Sequence, residues 1–153
     1  MKILYYLRVV VLSWEFVLLF GGFILIGVFP EKINAFAPSL NVNNDMLKLL
    51  MFVPIALLVW SARQYQELFI GENKDAKALI NWPDFWKLKA VFYVALTYGV
   101  IFSIFGGISL LTENITLQGS NLIIFAGTCL GSFIVAGSIY FARIHISELF
   151  LKD

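Results

Sequence analysis

Glu15 is the residue best placed to do chemistry in this chain. It is the only charge in the apolar run Val9–Phe29. A lone carboxylate in hydrocarbon costs roughly 2.5–3.5 kcal/mol on an insertion scale at mid-membrane, so such a group faces a bundle interior, takes up a proton or meets a cation. Each of these would make it a proton- or cation-exchanging site. The plainer expectation is that it lies near the cytoplasmic end of its helix and reaches outward, toward Arg8 or Arg143. A second group of charges repeats along the chain. Arg63 and Glu67 are i,i+4 neighbours that pair on one helix face, whereas Arg143 and Glu148, five apart, fit that geometry poorly. Both sets read first as interfacial anchors, and otherwise as a place to bind an acidic group or another protein. His145 belongs to the same interfacial zone.

Other chemistries are excluded by what is absent. No phosphate-cradling loop of the G-x-x-x-x-G-K-[ST] type, no G-x-G-x-x-G, no H-E-x-x-H, no G-x-S-x-G and no C-x-x-C occurs. One cysteine (Cys129) and one histidine (His145) leave no intrachain disulfide, no cysteine-rich zinc site and no bis-histidine haem from this chain alone. The reading is therefore no catalytic residue, no metal and no cofactor, hence a non-enzyme. Eleven basic against ten acidic residues give a net charge of +1, so bulk charge does not point to nucleic acid.

The elements that must position Glu15 follow from composition. Of 153 residues, 60% are hydrophobic and 14% charged, with mean hydropathy +0.85. Soluble domains average about 45–50% apolar and about 25% charged. Lipid is the solvent that accommodates the excess. A span needs about 20 apolar residues in a helix, and in lipid only helices and closed barrels satisfy their own backbone. Continuous rather than alternating apolarity selects helices. Four spans are expected at 9–29, 47–62, 90–112 and 122–142, the second being short and flanked by Lys48 and Arg63. Pro54 inside it frees the carbonyl of Leu50 and predicts a kink. The fold class is an all-α membrane protein, a single integral domain over 1–153 with four transmembrane helices in an up-down bundle.

Orientation follows Lys and Arg. Nine of the eleven fall in the N-terminus, the 63–89 connection and the C-terminus; Lys32 and Lys48 take the other two connections. Both termini and residues 63–89 are expected on the cytoplasmic side of a bacterial-type inner membrane. Gln64–Ile70 is expected to continue the second helix as far as Gly71. Trp82, Phe85 and Trp86 form an aromatic belt ahead of the third span, with Pro83 suited to a first helical turn.

Small residues mark where helices meet. Gly127 and Gly131 make a GxxxG, and Gly99, Ser103 and Gly107 fall on one face at four-residue spacing. Such stripes admit a close neighbour, either within the chain, in a homo-oligomer or on a membrane-protein partner. An internal echo accompanies them. Phe20-Gly21-Gly22 recurs as Phe105-Gly106-Gly107, Ala62-Arg63 as Ala142-Arg143, and Glu67-Leu68-Phe69 as Glu148-Leu149-Phe150. Two pseudo-symmetric helical hairpins, parallel about the membrane normal, would produce this order.

In layout, four spans with both termini inside and Pro54 in the second, the chain resembles the inner-membrane immunity proteins that neutralise pore-forming colicins of the A type. That resemblance implies a non-catalytic binding or accessory protein docked on another protein's membrane helices, with Gly99, Ser103, Gly107, Gly127 and Gly131 as contact. Glu15 in the first of four helices is similar to the membrane carboxylate of small multidrug resistance transporters, although the long second connection departs from them. That second resemblance implies a small proton- or cation-coupled transporter or channel subunit.

Overall fold

The computed structural model describes residues 2–36, 49–50, 52–69, 82–110 and 119–150. Among them are six helices and no strand: α1 (Lys2–Val11), α2 (Trp14–Val28), α3 (Pro30–Phe36), α4 (Phe52–Phe69), α5 (Phe85–Leu110) and α6 (Gly119–Phe150). Two are long and apolar enough to cross a membrane, over Phe85–Ser109 and Gly119–Ile146, or three if α1 and α2 count as one broken span. α4 does not reach that mark, because its described part is apolar only through Ala62 before the polar run from Arg63 to Glu67 begins. Lys48 and, within the middle connection, Lys74 and Lys77 lie outside the described residues.

The first expected span is corrected most. Val9–Phe29 is not one helix: it breaks between Val11 and Trp14, and the two pieces meet at 55°. The cause is capping chemistry. The Ser13 hydroxyl accepts from the backbone N–H of Phe16 at 3.1 Å and donates to the carbonyl of Val10 at 3.0 Å. One side chain thus ends α1 and starts α2, which is what serine at an N-cap does. The stretch beyond Phe29 is helical rather than loop as far as Phe36, with Pro30 at the first helical position. α5 starts ahead of the expected 90, and α6 overruns 122–142 at both ends. At 32 residues α6 is about 48 Å long, more than hydrocarbon requires.

Contacts between named residues give the directions of the helices. Tyr5 meets Trp86, Tyr98 reaches Val10 and Phe23 meets Phe105, so α1 and α2 run parallel to α5. Ser103 donates to the Pro54 carbonyl while Phe69 packs on Phe85, so α4 runs against α5. Arg143 meets Glu67 and Cys129 approaches Leu50, so α4 and α6 run together. The core sits where α4, α5 and α6 converge, around Phe92, Tyr98, Phe102, Val135 and Ile139. Large apolar side chains face outward around it, from Leu4 and Trp14 to Phe133 and Phe141.

Proline and glycine are explained by these contacts. The carbonyl that Pro54 leaves free, on Leu50, faces the Cys129 thiol at 4.0 Å, a weak sulfur hydrogen bond. Gly131 lies under the Phe102 ring, which leaves no room for a Cβ, and Gly99 faces Leu58 and Val135. Hydroxyls that would be stranded in lipid turn back onto their own helices, as in Thr97 to Tyr93, Ser109 to Phe105 and Ser132 to Thr128. The paired hairpins are not alike: the first contains the Ser13 break, and α5, its counterpart, is continuous.

Candidate functional site

Glu15 sits in the first turn of α2, directly after the cap. That position faces the positive end of the helix dipole, which favours a negative charge by about 0.3–1 kcal/mol. Only 6% of the residue is exposed. Among the described residues nothing makes a hydrogen bond or ion pair with its carboxylate. It forms one wall of a groove of about 450 Å³ between α1, the break, α5 and the Ser138 edge of α6. Arg8 is exposed on another wall, one turn before the break, and Tyr5 and Ser13 add the remaining polar atoms of the N-terminal side. Val9, Leu12, Val91, Val94 and Ala95 are apolar, and Trp14, 75% exposed, stands at the edge. A few polar groups on an otherwise apolar concavity of this size are the usual makeup of a ligand site.

The break is held open from the α5 side. Tyr98 donates its hydroxyl to the Val10 carbonyl at 3.1 Å, the same oxygen that receives Ser13. An end-of-helix carbonyl without a turn above it thereby has two donors, which a buried site requires.

The second constellation lies elsewhere. Glu67 accepts from Arg63 at 3.3 Å and pairs with Arg143 at 3.0 Å, and Arg143 also donates to the Gln64 side chain. The expected i,i+4 pair is present. Arg143 is not free to answer Glu15, because α4 brings Glu67 and Gln64 against it. Of Glu148 the helix is described and the side chain is not. His145 is exposed on α6 near this cluster's end of the helix. With two bases around one carboxylate and all three side chains partly exposed, the cluster fastens α4 to α6 rather than leaving a charge to be used.

The small residues divide. Gly99, Ser103 and Gly131 face neighbours inside the chain, through Leu58, the Pro54 carbonyl and Phe102 respectively. Gly107 and Gly127 have nothing within 4 Å of where a Cβ would stand. Gly127 borders a small apolar crevice of about 50 Å³ between α2, α5 and α6. Among the described residues no group of three or more His, Cys, Asp or Glu could hold a metal ion.

Sequence reasoning singled out Glu15 and named Arg8 as a neighbour, and it missed Ser13 and Tyr98. Those two carry no pattern that hydropathy reads, but Ser13 two residues before an acid is a helix-start signal. Comparison with protein-family models, with curated proteins and with solved structures returned no match. The two likenesses of layout therefore gain no support from sequence or fold.

Proposed function

We propose that the protein is an integral membrane bundle of four spans, with both termini on the cytoplasmic side of a bacterial-type inner membrane, whose work is done at the Glu15 groove. There Glu15 takes up a proton or a cationic group within the membrane, as a small cation-coupled transporter or channel subunit would. The observation that carries this reading is a carboxylate, 6% exposed and without a partner among the described residues, at a helix break beside a groove of about 450 Å³. A fold that keeps so costly a group needs something to compensate it. Discontinuous helices whose ends line a cavity are a recurring device for binding ions inside membranes. The fourth crossing is supported by α4, which lies beside α5 from Pro54 opposite Ser103 to Phe69 opposite Phe85. The side of the membrane follows from the nine-to-two division of Lys and Arg.

The test uses purified protein in liposomes with a trapped pH dye and a potassium or sodium pulse. Native protein is expected to move protons against the pulse, and Glu15→Gln, folded by gel filtration, is expected to be silent. Native vesicles no faster than empty ones, or a fully active Glu15→Gln variant, overturn the reading.

One observation favours a second reading, a non-catalytic accessory or immunity-type protein docked on another membrane protein. Gly107 has nothing within 4 Å of where a Cβ would stand, so a partner helix has a place to approach. Gly107→Leu should then abolish co-purification of that partner while leaving the protein in the membrane. Gly131→Leu does not test it, because Gly131 is filled by Phe102.

A further inference from the structure

We infer that the ligand of the Glu15 groove is a zwitterionic lipid bearing a primary ammonium, the phosphoethanolamine headgroup with its chains. The inference rests on the reading of Glu15 above and names what that site takes.

The groove sets two opposite charges on an apolar surface. A cationic group suits Glu15, and the same groove carries Arg8, whose guanidinium is left to meet an anionic one. A bare anion suits Arg8 and is repelled by Glu15. Among the described residues neither side chain is in an ion pair, although both line one groove. A ligand with both charges satisfies both walls at once. Glu15 is more than nine-tenths buried and accepts only, so it selects a cation that has N–H groups to donate. A primary ammonium has three, and a quaternary one has none. Arg8 presents a planar fork suited to phosphate. The apolar walls, with Leu12 and Trp14 exposed at the edge, give the chains a lipid-facing exit. About 450 Å³ accommodates such a headgroup with its glycerol end.

The experiment is native mass spectrometry of the full chain released from detergent. It is titrated in turn with phosphatidylethanolamine, phosphatidylcholine and phosphatidylglycerol of identical chains, and with soluble phosphoethanolamine. The expected result is retention of the ethanolamine lipid about tenfold above the other two, the scale of one hydrogen bond to a charged group. Glu15→Gln and Arg8→Gln should each bring it down to the choline level, with gel filtration and helicity unchanged. Equal retention of the three lipids overturns the inference, and so does binding of soluble phosphoethanolamine at the same level. A preference lost in Glu15→Gln but kept in Arg8→Gln overturns the zwitterion and leaves the Glu15 reading standing. A preference untouched by Glu15→Gln removes both.

Discussion

Two acidic residues of this chain, Glu67 in a polar run and Glu15 in an apolar one, are treated by the fold in opposite ways. Glu67 stands on α4 with Arg63 one turn behind it and Arg143 across from it, 39% exposed, and each of its oxygens is met by a base. Glu15 is more deeply buried, at the start of α2, with no base within pairing distance among the described residues. The first belongs to a closed set of contacts that fixes helix against helix. The second is stabilised only by a dipole and a groove. A charge whose partners are all supplied by the fold has little left to offer a ligand, and one whose partners are missing keeps that capacity.

The largest effect expected from breaking this contrast lies on the packed side. Gly131→Leu forces side-chain atoms into the Phe102 ring, itself buried in the core, and should cost about 3 kcal/mol. Thermal unfolding in detergent, followed by helicity, would register it as a lower midpoint. On the open side, Ser13→Ala removes both the cap of α2 and a donor to Val10. A loss of about 1–2 kcal/mol is expected, read as faster hydrogen exchange confined to residues around the break. The sharpest comparison is the paired substitution of the two acids. Glu67→Gln should lower stability by about 1 kcal/mol, since the pairs it loses are partly exposed. Glu15→Gln should leave stability unchanged or raise it, because it removes a buried charge and no bond among the described residues. Equal losses in the two variants would erase the distinction drawn here. The smallest change is expected for Cys129→Ala, a few tenths of a kcal/mol, as its bond to Leu50 is long and weak.

What could be read from the residues alone follows the reach of each interaction. Helical class, the Arg63–Glu67 pair and the carbonyl freed by Pro54 are local, and all are legible within one or two turns of sequence. The partner of that carbonyl, Cys129, and the joining of Arg143 to Glu67 depend on α4 lying along α6, which no spacing announces. The apolar run resumes directly after the single hydroxyl of Ser13, so a count of hydrophobic residues passes over the break. The hydroxyl of Ser13 decides it, and hydropathy assigns that group no direction. The same limit hid the groove: Glu15 was conspicuous by its charge, while Val94 and Ala95, which line the space beside it, look like any other core residues. Gly99 and Gly131 were visible as small residues, but which neighbour each would meet was not.

At its far end α2 gives way to α3, where the Asn34 side chain accepts from the Gly119 backbone N–H at 3.0 Å and Gly119 leaves no room beyond the Ile33 carbonyl. That latch ties the first third of the chain to the beginning of the last helix. α2 is thus a strut fastened at both ends, at its foot by the Asn34 bond and at its head by the Ser13 cap, whose neighbour Val10 is held by Tyr98.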